Sequence, residues 1–256
     1  MNMKIATANV NGIRAAINKN FVDWCINEQF DIIGLQETKI QEKDLEKLKI
    51  ENLDYYKNWC HAEKPGYSGV ATFSKKNPNH IEIGMGMTKY DIEGRVLQTD
   101  FDNFSLINVY IPSGTMGDHR HEFKIEFLND FGKFIDSKLK KNPNLIVMGD
   151  YNIVHKELDI HNPDRKDNPS GYRPDERKWL DDWYNNKFID AFRYVYPDKK
   201  HFSWWSYRAG AFKKNLGWRI DYISVSNSLK DKIKDVKFYT EQMFSDHCPV
   251  ILNIDL

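Results

Sequence analysis

Short runs of apolar and β-branched residues recur along the chain at positions 4–8, 31–35, 68–73, 95–101, 105–111, 144–148, 219–225 and 250–254. Runs of this length predict strands, and the nearly continuous ones predict strands covered on both faces. Helical spacing separates them. Ile17, Phe21 and Trp24 repeat at that spacing, as do Phe123, Phe127, Phe131 and Ile135, with Leu128 and Phe134 widening the second stripe. A third helix is expected after Arg173-Pro174-Asp175-Glu176, because proline suits the first helical position and acids favour the first turn. Trp179, Leu180 and Trp183 form its expected inward face. The order mixes βαβ units with runs of consecutive strands. It predicts an α/β fold of mixed sheets with helices packed outside. No low-complexity linker and no internal repeat interrupts it, so one domain over residues 1–256 is expected. The one long polar stretch, DIHNPDRKDNPSGY at 159–172, predicts a surface loop, and loops of that length are often functional.

Composition narrows the classes. No apolar run approaches the ~18 residues that would span a bilayer, so no membrane partner is expected. The opening residues enter a strand pattern at once, without a basic segment followed by an apolar one, so no secretory signal is expected. Cys25, Cys60 and Cys248 form no close pair, which leaves out zinc knuckles and CxxC redox motifs. They read as small core residues in a reducing cytoplasm. Lys plus Arg and Asp plus Glu each number 37, so the net charge is zero. Any nucleic-acid contact must then come from a local basic face.

Polar residues concentrate at strand ends. The first run leads into Asn9-Val10-Asn11-Gly12, the second into Gln36-Glu37-Thr38, and the sixth into Gly149-Asp150-Tyr151-Asn152. Asp221 lies near the start of a later run, and Ser245-Asp246-His247 precedes the last. If those two late strands run antiparallel to the earlier ones, all five clusters meet at one edge. Taken singly, each cluster has a plain reading as a turn or cap. Together, Asn9, Glu37, Asp150, Asn152, Asp221, Asp246 and His247 offer oxygen ligands, one imidazole and no thiolate set. That suits Mg²⁺ or Mn²⁺, and Mg²⁺ bound by few carboxylates points to phosphate chemistry. A glycosidase would need neither the amides nor the histidine. A serine hydrolase would need a G-x-S-x-G elbow, which does not occur.

These residues resemble the exonuclease III type of apurinic/apyrimidinic (AP) endonuclease, within the DNase I-like phosphoesterases. The resemblance covers essentially the whole chain. It rests on the segments 9–15, 35–39, 66–71, 109–112, 149–152, 217–222 and 245–249. It implies a four-layer α/β sandwich, two packed mixed sheets flanked by helices. It also implies Mg²⁺-dependent hydrolysis 5′ to abasic sites in double-stranded DNA, processing of blocked 3′ ends and 3′→5′ exonuclease activity, in base excision repair. By the same resemblance Glu37 is the principal metal ligand, with Asn11 and Asp246 near it. Asp150 orients or deprotonates the attacking water. Asn152 and Asn9 hold that water and its carboxylate, with Asp150 and Asn152 also counted near the metal. Asp221 and His247 form an Asp–His pair facing a phosphate oxygen, and Tyr110 contacts the scissile phosphate or the leaving oxygen. Trp204, Trp218 and Ile220 fall where the family houses an extruded abasic sugar, while Trp205 reads as core. Arg14, Lys19, Tyr67 and Arg208 fall where it grips DNA. A monomer acting in a prokaryote-like cytoplasm, at the nucleoid, is the expectation.

Departures from the family pattern stand beside the matches. Asn11 replaces an Asp of some members, and Ser113 stands where an amide is common. Lys166 and Pro169 occupy positions where some members carry asparagines, which puts lesion contacts from the 159–172 loop in question. Two other readings compete. One is a related phosphoesterase acting on an inositol phosphate, phospholipid or RNA, which would want basic residues where the aromatic ones stand. The other is a catalytically silent DNA-binding module, which would not need every reactive position to be chemically competent.

Overall fold

The computed structural model describes residues 2–241 and 243–256. Its strands are β1 (Asn2–Asn9), β2 (Ile32–Gln36), β3 (Tyr56–Cys60), β4 (Val70–Ser74), β5 (His80–Ile83), β6 (Val96–Asp100), β7 (Ser105–Tyr110), β8 (Leu145–Asp150), β9 (Phe188–Asp190), β10 (Trp204–Trp205), β11 (Gly217–Trp218), β12 (Asp221–Ser226), β13 (Ile233–Phe238) and β14 (Val250–Asp255). Helices α1 (Ile13–Ile17), α2 (Phe21–Glu28), α3 (Thr88–Asp91), α4 (Asp118–Lys141), α5 (Pro174–Asn186) and α6 (Ala191–Val195) lie between them. The first sheet has the order β13-β14-β1-β2-β4-β3 and the second β5-β6-β7-β8-β12-β9. Each holds one parallel pair, β1 with β2 and β7 with β8, in an otherwise antiparallel set. The two sheets pack face to face, with β1 against β8 and β2 against β7.

Three apolar clusters account for the layers. Ile5, Ile32, Leu106, Ile146, Met148, Ile223 and Leu252 meet between the sheets. Phe21, Trp24 and Cys25 of α2 cover the outer face of the first sheet. Phe127, Phe131 and Ile135 of α4, with Leu180 and Trp183 of α5, cover the outer face of the second. A strand covered on both faces needs apolar residues at successive positions, which is why the central strands read so plainly in the sequence. The result is the four-layer α/β sandwich that the resemblance implied.

The structure differs from the expectations in three places. The spacing through Ile17, Phe21 and Trp24 is not one helix. Asn20 adopts a left-handed backbone (φ +65°) and separates α1 from α2, a conformation asparagine tolerates better than most residues. Second, β3, β5, β9 and β13 were not foreseen. All four are edge strands, where one flank is open and a continuous apolar run is not required. Third, the 159–172 stretch is a surface loop only in its middle. Asp159, Ile160, Gly171 and Tyr172 are buried, and Ile160 bridges to Trp218.

Asp159 explains how the near end is held. Its carboxylate takes the Arg219 Nε at 2.7 Å and Nη2 at 2.9 Å and also pairs with Arg193, while Arg219 reaches Asp190 at 2.7 Å. Burial alone would raise the Asp159 carboxyl, but the two guanidiniums outweigh it and hold it down at about 2. A carboxyl lowered on folding stabilises above its unfolded value and loses that contribution as pH falls toward the folded one. Asp159→Asn should destabilise the protein by about 3 kcal/mol or more at neutral pH, because two buried cations lose a partner. The stability gap between variant and wild type, from urea unfolding, should narrow by about 1 kcal/mol between about pH 5 and pH 3. A gap independent of pH would refute the assignment.

Candidate active site

The sheet topology brings the polar clusters together. β1, β2, β7 and β8 all point the same way, and each ends at a site residue or just before one: Asn9, Glu37, Tyr110 and Asp150. β12 runs against β8 with Asp221 opposite Asp150, and β14 runs against β1 so that 246–247 arrive at the same edge. The late strands are antiparallel to the early ones, as convergence required.

Three linked groups occupy that edge. In the first, Asn9 Nδ2 donates to Glu37 Oε1 at 2.9 Å and to Asp150 Oδ2 at 2.9 Å, bridging the two sheets. The Asn152 backbone N–H donates to Asp150 Oδ1 at 2.8 Å, and its side-chain amide donates to the Ile111 carbonyl at 3.0 Å. In the second, His247 Nδ1 faces Asp221 Oδ2 at 2.9 Å, leaving Nε2 toward Asp150 at 3.9 Å, beyond hydrogen-bond reach. In the third, Asn11 Nδ2 donates to Asp246 Oδ1 at 3.1 Å, and Trp204 Nε1 donates to Asp246 Oδ2 at 2.9 Å. Tyr110 is half-buried, and the buried Arg95 guanidinium lies 4.7 Å from its ring centroid.

Local backbone strain marks the same residues. Asn11 (φ +44°), Glu37 (φ +51°), Lys39 (φ +52°) and Asn152 (φ +53°) are all left-handed. Such conformations cost on the order of 1–3 kcal/mol each and persist where surrounding contacts over-determine them. Gly149, just before Asp150, has φ +149°, and a Cβ there would stand 1.8 Å from the Val109 carbonyl oxygen. No other residue type fits where β7 and β8 deliver Tyr110 and Asp150.

The electrostatics follow from burial against neighbours. Burial pushes the Asp150 carboxyl up to about 7, against the pull of His247. Burial also opposes charge on His247, yet Asp221 and Asp150 outweigh it and lift the imidazole to about 10. Burial would raise Glu37 too, but the Lys39 ammonium and the Asn9 amide reverse the effect and hold it below its ordinary value. The Tyr110 phenol is driven well above its ordinary value, by burial first and then by Glu37.

Sequence reasoning gave no role to Lys39, Ser203 and Ser245. Lys39 Nζ pairs with Glu37 Oε2 at 2.9 Å and donates to Asn11 Oδ1. Its nearness to Glu37 in the chain was a usable signal. Ser245 Oγ donates to the Asn9 carbonyl at 2.6 Å and accepts from the His247 backbone N–H at 3.0 Å. Ser203 Oγ accepts from the backbone N–H groups of Ile220 (3.0 Å) and Asp221 (3.1 Å). No local pattern announces Ser203, and Ser245 stood in the 245–247 cluster without a role of its own.

The donor set fits a hard divalent cation. Among the described residues, Asp150, Asp221 and His247 bring ligand-type atoms within 4.8 Å of one another, but Asp221 is already engaged with the imidazole. Glu37, Asn11 and Asp246 offer only oxygen acceptors, and the Lys39 ammonium on two of them shows that the spot favours positive charge.

Beside this edge, β10 and β11 pair Trp204 with Trp218, whose rings meet edge to face at 5.7 Å. Val154, Ile160, Tyr172 and Ile220 complete the apolar cluster, and Trp205 belongs to a separate core with Phe202 and Cys248. Tyr67 Oη accepts from Arg95 at 2.9 Å and from Arg120 at 3.1 Å, which ties it to the Tyr110 side of the site. Arg14 pairs with Asp44 at 3.2 Å, and Lys19 donates to the Phe244 carbonyl at 2.9 Å, next to Ser245. Arg208 is exposed on the turn after β10, outside the hydrogen-bonded cluster.

Comparison with known proteins follows this geometry. The Endonuclease/Exonuclease/phosphatase family matches residues 6–247. The chain belongs to that family. The nuclease is 41% identical to an exodeoxyribonuclease of Bacillus subtilis, over 99% of its own length and 100% of the relative's. It is 38% identical to the DNA repair nuclease APEX1 of Danio rerio, over 98% of its own length and 82% of the relative's. Among solved structures, a 3′ phosphatase from Neisseria bound to a product DNA hairpin superposes with a TM-score of 0.91 at 26% identity, covering 99% of this chain and 100% of that one. This nuclease is therefore a DNA-repair hydrolase of the exonuclease III type, with DNA as substrate, and its family is metal-dependent.

The coupled titration can be checked in the metal-free nuclease. Asp150→Asn removes one of the anions that lift His247, so the imidazole pKa should fall from about 10. Imidazole shifts followed by NMR across pH would show it. An unchanged His247 titration would rule out the coupling.

Proposed function

We infer that the nuclease uses Mg²⁺ to hydrolyse the phosphodiester 5′ to abasic sites in double-stranded DNA, and that it also clears blocked 3′ ends. The observation that carries this is one hydrogen bond. Trp204, packed against the apolar cluster beside the site, donates to Asp246 in the oxygen-donor cluster. A place for a small apolar sugar is thereby fixed against the place where a phosphate would be cleaved. An extruded abasic deoxyribose has lost its pairing and carries no base, so a narrow apolar recess admits it and rejects an intact nucleotide.

Glu37, Asn11 and Asp246 would hold the cation, which when bound neutralises charge on the phosphoryl oxygens. The all-oxygen donor set supports Mg²⁺ as that cation, with Mn²⁺ able to replace it. Asp150, kept in place by Asn9 and the Asn152 backbone, takes the proton of a water that attacks phosphorus in line with the leaving oxygen. The phosphorus–O3′ bond breaks, leaving a 3′-hydroxyl and a 5′-phosphate. His247, protonated and aligned by Asp221, donates through Nε2 to a phosphoryl oxygen as charge builds there. Tyr110 stays a neutral phenol and so donates to the phosphate or the leaving oxygen. Arg14, Lys19, Tyr67 and Arg208 contact the duplex backbone or groove, which positions DNA without reading its sequence.

The decisive experiment incubates the nuclease with a labelled duplex carrying a stable abasic analogue, in Mg²⁺ or in EDTA. Incision 5′ to the analogue in Mg²⁺ alone is expected, and no incision by folded protein would sink the reading. Asp150→Asn should lose about 10²-fold or more in turnover while still binding the duplex. Trp218→Ala should reduce abasic-site incision more than removal of a 3′-phosphate. Equal losses on the two substrates would count against the recess.

A further inference from the structure

We propose that Asn108 and Gln36 form a positioning pair, buried behind the site, that sets the separation of its two halves. The proposal rests on the assignment of Glu37 to the cation and Asp150 to the attacking water. Glu37 follows β2 of the first sheet, whereas Asp150 and Tyr110 end strands of the second. Their spacing is therefore an inter-sheet spacing.

Thr7, Gln36 and Asn108 are all completely buried at that interface. Gln36 Nε2 donates to Thr7 Oγ1 at 2.9 Å and to Asn108 Oδ1 at 2.7 Å. Asn108 Nδ2 donates to the Leu35 carbonyl at 3.1 Å and the Ala71 carbonyl at 2.8 Å. Asn108 belongs to the second sheet, yet these three side-chain bonds all go to the first. The surrounding interface is hydrocarbon, which attracts without specifying a register. A buried amide behaves differently, because it is costly unless its hydrogen bonds are made, and these can be made at only one spacing and offset.

The sheets also approach closely here. A Cβ on Gly34 would stand 2.4 Å from Met148 Cε and 3.2 Å from Asn108 Cγ. A side chain at position 34 would require Met148 to turn aside and Asn108 to give way.

Strand geometry carries the tie to the site. Residues two apart on a strand share a face, about 6.6 Å apart. Asn108 is two residues before Tyr110, Thr7 two before Asn9, and Gln36 directly precedes Glu37. The pair thus lies one pleat behind the reacting groups. The bonds that bridge the sheets within the site, from Asn9 to Asp150 and from His247 to Asp221, are made by groups that must also meet substrate or cation. The Asn108 bonds have no such second duty and supply a fixed reference. Misplacement by about 1 Å can cost on the order of 10²-fold in rate.

The test is the double variant Asn108→Leu/Gln36→Leu, which exchanges both amides for apolar groups of similar size and leaves no stranded donor. Asn108→Ser is a milder second variant. Circular dichroism establishes folding of each. Three quantities are then compared with wild type: kcat and KM on the abasic-analogue duplex, Mn²⁺ affinity without DNA by electron paramagnetic resonance, and duplex affinity in EDTA. The expected result is a kcat lower by about 10- to 100-fold, a Mn²⁺ affinity weaker by about tenfold, and unchanged duplex affinity in EDTA. A folded variant with wild-type kcat and Mn²⁺ affinity would overturn the proposal, and so would a loss confined to duplex affinity. Absence of metal-dependent incision by the wild type would instead defeat the functional reading. The Mn²⁺ and duplex measurements would still decide the role of the pair.

Discussion

Asp221 begins a strand of one sheet and His247 leads into a strand of the other, so the 2.9 Å contact between them crosses the gap between sheets. The Asn9–Asp150 bond crosses the same gap. Neither sheet alone contains a working set of groups. The site exists only because two β-sheets stop at one edge with their interiors packed against each other. Apolar burial supplies most of the force that holds them, at roughly 25 cal/mol per Å² removed from water, but it does not choose an offset. Directional polar contacts make that choice. They cluster toward the reactive edge and leave the far side of the interface to hydrocarbon.

The charge arrangement depends on the same enclosure. In open water Asp150 and His247 would titrate as an ordinary acid and an ordinary imidazole. Between the sheets, burial drives the acid up to about 7 while two carboxylates drive the imidazole up to about 10. The pair is thereby poised near neutrality with a cation beside a carboxyl that can give up or accept a proton. Glu37 differs although it is nearly as enclosed, because Lys39 supplies a positive neighbour and keeps it ionised. Two carboxyl groups bridged by one asparagine therefore sit in opposite regimes. That division is what a proton acceptor and a cation ligand respectively require. Zero net charge over the whole chain conceals this local polarity.

How much of this was legible in the sequence follows from range. Central strands were readable because burial on both faces forces apolar residues at consecutive positions, as in β8. The edge strand β13, IKDVKF, buries only Ile233 and Val236, three positions apart across an irregularity in its register, and was passed over. The reactive clusters were readable because strand ends concentrate polar residues that a core would otherwise exclude. Their convergence needed only the direction of β12 and β14. The supporting groups were not readable. Ser245 matters because its hydroxyl meets the Asn9 carbonyl, 236 positions away in the chain. Arg219 stood inside a matched segment with no role of its own, and it is buried between Asp159 and Asp190. A sequence shows which residues are reactive more readily than it shows what holds them.

Arg219 also bears on how the apolar cluster beside the site is held. Trp218 and Ile220 flank it and belong to the apolar cluster, while its own side chain is anchored between Asp159 and Asp190. Alternation along an extended segment accounts for this: fixing the middle residue inward fixes its neighbours toward the opposite side. The far end of the 159–172 loop is held comparably. Glu176 of α5 accepts from the Gly171 backbone N–H at 2.7 Å and pairs with the buried Lys124 at 2.7 Å. Lys124 in turn donates to the Asn152 carbonyl at 2.7 Å. Both ends of the loop are thus tied either to the apolar cluster or to Asn152, whose backbone N–H holds Asp150. Lys166 and Pro169 lie in the middle of the loop, and so does Arg165, whose guanidinium stands 5.5 Å from the Trp218 ring. Changes there alter what meets the Trp218 ring, while the anchored ends keep the apolar cluster and Asn152 in place.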